Sequence, residues 1–186
     1  MKLTTPRLLL REFCSDDHAA VHAFASDAEV VRYTDWGPNE PQDTTAFLHE
    51  VAENARAAPR SVFALAVVDR AGDTLIGSIR LEVTSTRHRR AEMGFVLARS
   101  RWRNGYATEA AAALLRFGFH DLALHKVSAT CDPANAGSAG VLTKIGMQPE
   151  GHLHDHLHIR GQWRDRLLFA AVATDQHAGR RAEPLG

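Results

Sequence analysis

The stretch that decides the fold reads RWRNGYATEA at residues 101–110, a basic loop with one glycine that leads into a helix. Residues 92–97 before it alternate large apolar side chains with other residues, as a β-strand does, and residues 107–122 after it carry apolar side chains at helical spacing. A strand, a glycine turn and a helix N-terminus can form an anion site, because the first N–H groups of the helix are unpaired and Gly105 leaves room for a phosphate. On spacing alone, an ordinary strand-to-helix turn explains the pattern equally well.

Length and charge limit what the chain can be. Its 186 residues, 45% of them hydrophobic, suffice for one well-packed domain and are few for two. We therefore expect a single domain over residues 1–175 and a disordered tail over residues 176–186, which lack periodicity. Because 22 basic residues balance 22 acidic ones, the overall charge does not predict a nucleic acid or an anionic membrane as partner.

The cysteines and the apolar segments favour a reducing, cytoplasmic setting. Cys14 and Cys131 are far apart in sequence and have neither metal nor redox spacing. No signal-peptide pattern begins the chain, and no apolar run approaches the roughly 20 residues that cross a bilayer.

Periodicity and turn residues predict a mixture of strands and helices. Helices are expected near residues 15–27, 42–57, 107–122 and 136–145. Strands are expected near residues 7–13, 61–68, 74–83, 90–98, 126–131, 151–160 and 166–174. This order indicates an α+β or mixed α/β sheet with helices on both faces.

Several separate motifs resemble one enzyme family. Residues 102–110 resemble the acetyl-coenzyme A signature of the Gcn5-related N-acetyltransferases (GNAT), in which Gln or Arg, two residues, Gly, one residue, and then Gly or Ala hold the pyrophosphate. Trp102 stands in place of the Gln or Arg, as in the branch that contains the RimJ/RimL ribosomal-protein N-acetyltransferases. Further matches extend along nearly the whole chain: TPRLLLR at 5–11, NAGS at 135–138, KIGM at 144–147, Gly151, and GQWRD at 161–165.

The resemblance implies a fold and a reaction. The fold is the GNAT acyltransferase fold, a mixed but mostly antiparallel sheet of about seven strands flanked by about four helices. The reaction is transfer of the acetyl group of acetyl-CoA to a primary amine by direct attack in a ternary complex, without a covalent acyl-enzyme or a required metal. A protein N-terminal α-amine, a small amine, an amino acid or an antibiotic is an equally compatible acceptor, and the protein is expected as a monomer or homodimer. A domain that binds acyl-CoA without turnover, as a sensor, is the alternative.

Two residues depart from the family pattern. Arg103 stands where many relatives have glycine, so its guanidinium becomes a candidate phosphate ligand beside the added charge of Arg101. Leu142 occupies the helix position of the tyrosine thought to protonate the departing thiolate, which excludes a tyrosine acid there. We expect Tyr106, in the loop, to contribute its backbone.

The resemblance assigns coenzyme binding mainly to backbone amides. These belong to Phe95, Val96 and Leu97 on the strand and to Arg103, Asn104, Gly105, Tyr106, Ala107 and Thr108 in the loop. Asn135 matches the family asparagine that hydrogen-bonds the pantetheine arm, with a plain turn residue as the alternative. Ser138 also contacts the coenzyme and is the expected proton donor in place of the missing tyrosine, unless it only caps its helix.

Glu92 is the candidate general base. Alternation along its strand directs it to the face opposite the large apolar side chains, which the resemblance identifies as the side of the acceptor. A carboxylate there can act through water if partial burial raises its pKa. A surface glutamate paired with Arg89 or Arg90 is the alternative.

Four histidines follow at alternate positions of a predicted strand: His152, His154, His156 and His158. A regular strand places them on one face, with neighbours about 6.5–7 Å apart. We assign His154 and His156 to the acceptor site, together with Trp36 in the loop between the first two helices, and expect no metal. Zinc binding by two imidazoles, an acid-sensitive switch, and a purely hydrophobic role for Trp36 are the alternatives.

Overall fold

The computed structural model describes residues 1–174, and the predicted tail lies outside the described residues. The strands are β1 (Lys2–Thr4), β2 (Leu8–Arg11), β3 (Val62–Asp69), β4 (Thr74–Ser85), β5 (Arg90–Leu97), β6 (Lys126–Cys131), β7 (Gln148–Ile159) and β8 (Gln162–Val172). The α-helices are α1 (His18–Ala25), α2 (Pro41–Arg56), α3 (Tyr106–His120) and α4 (Ala136–Lys144), with short 3-10 helices at Ser15–Asp17 and Arg99–Arg101.

The predicted fold class is confirmed, with one strand more than the seven expected. The additional strand, β1, pairs antiparallel with β2 at the edge of the sheet. Periodicity could not reveal it, because it has three residues and only Leu3 among them is partly buried. No helix within residues 1–174 has the length and hydropathy needed to cross a bilayer.

One parallel pair interrupts an otherwise antiparallel sheet. The strands follow the order β1-β2-β3-β4-β5-β6-β8-β7, and only β5 and β6 run parallel, joined by α3. Their pairing begins at Arg90 with Lys126 and extends only to Glu92 with Ser128. Beyond that point the two strands separate within the described structure, as the family resemblance predicts.

Each face of the sheet packs against a pair of helices. On one face, α3 and α4 contribute Leu114, Leu115 and Leu142 to the main core. On the other face, α1 contributes Val21 and Phe24 to a smaller cluster, against which Val96 of β5 packs. Because alternate residues of a strand face opposite ways, Glu92 shares the face of Val96 and lies on the side of α1 and α2.

The buried position of Leu142 makes the family tyrosine unsuitable here. The leucine is fully buried in the main core. We expect Leu142→Tyr to lower the free energy of unfolding by about 1–3 kcal/mol, because extra volume and a hydroxyl enter a packed core. Leu142→Met, which conserves volume, should lower it by less than about 1.5 kcal/mol. Urea denaturation measures both, and a tyrosine variant as stable as wild type would contradict this account.

Candidate active site

The candidate site lies between two interior strands, β5 and β6, at the end of the sheet where they separate. Because the two strands are parallel, their C-terminal ends reach the same edge. Helix α3 begins at Tyr106, soon after β5 ends, and α4 begins at Ala136, soon after β6 ends. Two helix N-termini and the open side of β5 therefore meet there, which is the arrangement that holds an anionic, extended ligand.

The loop before α3 has the backbone conformation of an anion cradle. Gly105 is the N-cap of α3 with φ of 77°, and Arg103 also has a positive φ, of 62°. Residues that alternate in this way turn successive N–H groups inward to form a concave anion-binding surface. Arg103 therefore has a left-handed backbone conformation, which glycine adopts without steric cost and other residues rarely adopt.

Two residues from the N-terminal strand region fix this cradle. Glu109, in the first turn of α3, accepts hydrogen bonds from the hydroxyl of Thr5 at 2.6 Å and from the backbone N–H of Arg7 at 2.9 Å. The guanidinium of Arg7 donates from Nε to Glu109 at 2.6 Å and from Nη1 to the carbonyl of Asn104 at 2.9 Å. It also lies 4.5 Å from the centre of the Tyr106 ring. The motif TPR therefore holds the loop in place.

The contacts of Glu109 with Thr5 and Arg7 also change its pKa. Partial burial raises the pKa, but the hydrogen bonds from Thr5 and Arg7 outweigh it and hold the pKa below its usual value. The carboxyl group is therefore ionised when it holds the loop at neutral pH.

Other side chains of the loop are engaged with the protein itself. Arg101 donates to Asp69 at 3.1 Å, and the hydroxyl of Tyr106 donates to the same carboxylate at 3.4 Å. The indole N–H of Trp102 donates to the carbonyl of Leu97 at 2.8 Å. Arg101 therefore brings its charge to this region as part of an ion pair with Asp69, and the hydroxyl of Tyr106 is directed to the same carboxylate.

The open side of β5 presents a subset of the expected amides. The N–H of Ala98 donates to the carbonyl of Ile76 on β4. Because ladder bonds alternate along an antiparallel strand, the N–H groups of Phe95 and Leu97 are directed to the opposite side, where β6 has separated. The N–H of Val96 is directed toward β4 by the same alternation.

Asn135 and Ser138 occupy the first turn of α4. The side-chain oxygen of Asn135 accepts a hydrogen bond from the backbone N–H of Ser138 at 3.0 Å, and therefore caps the helix. Within residues 1–174, neither the side-chain amide N–H groups of Asn135 nor the hydroxyl of Ser138 has a hydrogen-bond partner. The residue that caps α4 is thus Asn135 and not Ser138, for which a capping role was the alternative, and the two donors remain available to a ligand.

Glu92 is at the point where the strands separate. It is the last residue of β5 that pairs with β6, and it is exposed on the side of α1 and α2. Although the side chain is open to solvent, nearby protein atoms displace part of the water around its carboxyl group and so raise its pKa above the usual value, and repulsion by Glu82 adds to this effect. In the described part of the chain it forms no ion pair with Arg89 or Arg90, the alternative considered above.

The loop that carries Trp36 borders this carboxylate. Asp35 is close enough that its charge also raises the pKa of Glu92, and Trp36 is 38% exposed. Arg160, at the end of β7, donates to the carbonyls of Val31, Thr34, Trp36 and Gly37, with the shortest bond at 2.6 Å. Arg166 donates to the carbonyl of Tyr33. Sequence patterns did not predict a role for either arginine. Each one contacts backbone carbonyls more than 120 positions away, and such contacts produce no recognisable spacing of residues in the sequence.

The four histidines do not form the regular row predicted from their spacing. A β-bulge interrupts β7 between Leu153 and Leu157, and Asp155 has a φ of 45°. His152 and His154 both contact Asp165, whereas His158 packs against Trp163 with ring centres 5.1 Å apart. His156 is the histidine whose charge acts on Glu92 and lowers its pKa.

Fold and site together define an acetyl-CoA-dependent N-acyltransferase. The model of the "Acetyltransferase (GNAT) domain" family matches residues 7–148, so the chain belongs to the GNAT family of N-acetyltransferases.

Particular relatives agree with this assignment. The uncharacterized N-acetyltransferase YnaD of Bacillus subtilis is 36% identical over 176 residues, which is 94% of this chain and 99% of YnaD. The [ribosomal protein uS5]-alanine N-acetyltransferase of Escherichia coli is 32% identical over 88 residues, covering 47% of this chain and 45% of that enzyme. The structure of Mycobacterium smegmatis RimJ in complex with CoA-disulfide has a TM-score of 0.79 and 26% identity, covering 93% of this chain and 90% of RimJ.

The anchoring of the loop predicts a pH-dependent stability difference. We expect Glu109→Gln to lower the free energy of unfolding by about 1 kcal/mol at neutral pH, because it removes the ionic part of the contact with partly exposed Arg7. The folded-state pKa is depressed, so this contribution is present above the unfolded value of about 4.3 and disappears as pH falls through the folded value.

Urea denaturation on both sides of that pH measures the difference. Glu53→Gln is the matched control, because among residues 1–174 the carboxylate of Glu53 pairs with His49 alone and its side chain is 65% exposed. A deficit in Glu109→Gln that persists unchanged at low pH would refute the electrostatic explanation.

Proposed function

We propose that this protein transfers the acetyl group of acetyl-CoA to a primary amine by direct attack, with both substrates bound at the separation of β5 and β6. The observation that carries the proposal is the junction of a coenzyme cradle with Glu92, a carboxyl group of raised pKa, at the same opening in the sheet. Cys131 is buried with a raised pKa, so it is a poor nucleophile for an acyl-enzyme route.

The residues of the cradle would hold the coenzyme. Residues 103–108 would bind the pyrophosphate through backbone N–H groups, and the guanidinium of Arg103 would add charge. The side-chain amide of Asn135 would bind the pantetheine arm. Bound there, acetyl-CoA supplies an activated acetyl group as a thioester.

The remaining steps belong to the protein. Glu92 would accept a proton from the ammonium of the acceptor, directly or through water, which frees the lone pair for attack. The N–H groups of Phe95 and Leu97 would stabilise the charge that develops on the carbonyl oxygen. As the carbon–nitrogen bond forms and the carbon–sulfur bond breaks, the hydroxyl of Ser138 would pass its proton to the sulfur and take up in exchange the second proton that the acetylated nitrogen loses.

The acceptor side of the opening is acidic. Glu92, Glu82 and Asp35 bring three carboxylates together, and Arg80 offsets one of them by pairing with Glu82 at 2.6 Å. A cationic amine is therefore attracted to this side. We propose a protein N-terminal α-amine as the acceptor, supported by the relative that acetylates the alanine of ribosomal protein uS5. His156 and Trp36 would contact that chain, and a cytoplasmic location follows from the proposed substrates.

Thiol release over a panel of acceptors tests this function. We expect acetyl-CoA to release thiol with peptides that begin with alanine, and much less with polyamines, free amino acids or aminoglycosides. Turnover only of a small amine would overturn the proposed acceptor while leaving the reaction intact. Tight binding of acetyl-CoA without thiol release for any acceptor would favour the acyl-CoA sensor.

The pH dependence of kcat/KM tests the base. Glu92→Gln should lower kcat/KM by about 10²- to 10⁴-fold and remove the acidic limb of the profile, because no carboxylate remains to accept the proton. Glu82→Gln should retain the limb and move it to lower pH, because the repulsion that raises the pKa of Glu92 is removed. An acidic limb unchanged in Glu92→Gln would remove this residue from the mechanism.

The pH profile of Ser138→Ala distinguishes the proposed proton donor, Ser138, from the proposed base, Glu92. The substitution leaves the backbone N–H that Asn135 caps, so the helix should remain intact. We expect kcat to fall while the acidic limb stays in place.

A further inference from the structure

A compact group of metal-binding side chains lies on the β7–β8 hairpin. His152 and His154 of β7 and Asp165 of β8 each offer one ligand atom, and these atoms all lie within 4.8 Å of one another. The acetyl-transfer chemistry proposed above requires neither Asp165 nor His152. The sequence alone showed four alternating histidines and specified no further ligand, whereas the folded hairpin brings Asp165 to two of them.

The distances suit a small transition-metal ion. The Oδ2 atom of Asp165 lies 2.7 Å from Nε2 of His152 and 3.2 Å from Nδ1 of His154. In a tetrahedral zinc site with bonds of about 2.0–2.2 Å, ligand atoms are about 3.3 Å apart. Small rotations of two exposed imidazoles would therefore open the group enough to admit an ion. The rings of His152 and His154 are stacked, with centres 4.5 Å apart and an interplanar angle of 21°, and one nitrogen of each ring contacts Asp165.

The backbone orients the carboxylate for this purpose. The other oxygen of Asp165, Oδ1, accepts the N–H of Asp155 at 2.9 Å. Asp155 has a φ of 45° and lies within the β7 bulge, so the bulge is what turns this N–H toward Asp165. A hydrogen bond of this kind to a ligating carboxylate is typical of the outer shell of metal sites, where it fixes the direction of the free oxygen.

We propose that His152, His154 and Asp165 form a binding site for a divalent transition-metal ion of the zinc class. The ion would take Nε2 of His152, Nδ1 of His154 and Oδ2 of Asp165 as ligands and complete its coordination with water. Two imidazoles and one carboxylate favour zinc, cobalt or nickel over magnesium and calcium, which prefer oxygen ligands alone. The exposed fractions of the three side chains, 44%, 79% and 33%, leave a direct path for the ion.

The bound ion would cross-link the two strands of the hairpin where their pairing is irregular. It would join β7 to β8 where the bulge interrupts their regular pairing, close in sequence to His156 and to Arg160, which holds the Trp36 loop. Binding to the folded hairpin and not to the unfolded chain would raise thermal stability.

Calorimetric titration of untagged, chelator-treated protein with Zn²⁺ tests the site. We expect one equivalent to bind to the wild type, while Mg²⁺ alone gives no binding. Asp165→Asn and His154→Ala should each weaken zinc binding by at least about tenfold. In known metal sites, loss of a residue that only hydrogen-bonds to a ligand already lowers metal affinity by about that much, and these two residues are proposed as ligands themselves. His158→Ala is the matched control, because that histidine packs against Trp163 and lies outside the group.

Equal zinc affinity in the wild type and in Asp165→Asn would overturn the proposal, as would an equal loss in His158→Ala. Circular dichroism of the metal-free variants shows whether they remain folded. Visible absorption of bound Co²⁺ reports the coordination directly. Neither readout involves acetyl transfer, so the outcome is independent of the proposed enzymatic function.

Discussion

The candidate site depends on the incomplete pairing of β5 with β6. The two strands share three register pairs, from Arg90–Lys126 to Glu92–Ser128, and then separate. Backbone N–H and C=O groups in a sheet interior are normally satisfied by a neighbouring strand, so an interior strand with an open side is costly unless something else binds there. An extended ligand with amide and carbonyl groups can replace the missing strand. The same separation brings the first turns of α3 and α4 to the two sides of the opening, because both helices follow the ends of these strands.

The cradle is held by contacts that are distant in sequence and local in space. Thr5 and Arg7 bind Glu109 across about a hundred positions, and Arg7 also fixes the carbonyl of Asn104. These contacts explain how Arg103 keeps a left-handed backbone without the freedom of glycine. A non-glycine residue in that conformation typically costs about 1 kcal/mol or more, and it persists where surrounding contacts determine the backbone. The loop is thus shaped before any phosphate arrives, which lowers the entropic cost of binding.

Patterns local in sequence predicted most of the fold, whereas contacts across the sheet decided the site. Each predicted helix and strand is present, since apolar residues at regular spacing identify them, and only the three-residue β1 was too short to show a period. The alternation of β5 correctly placed Glu92 opposite the core. Spacing failed at the histidines, because a bulge cannot be recognised from alternating residues alone, and it gave no sign that Arg101 pairs with Asp69, which lies on another strand. Arg160 and Arg166 donate hydrogen bonds to backbone carbonyls. Every residue has such a carbonyl, so the sequence does not show which residue is the partner.

The zero formal net charge of the chain conceals two opposite local fields. On the coenzyme side, the first turns of two helices and Arg103 present positive charge. Around Glu92, the charges of Glu82 and Asp35 disfavour the ionised carboxylate, those of Arg80 and His156 favour it, and the displacement of water by protein atoms has the largest influence on its pKa. These opposing influences leave the pKa of Glu92 above its usual value. Position at the end of the β5–β6 pairing explains this pKa, because neighbouring atoms of the sheet displace part of the water around the carboxyl group of Glu92.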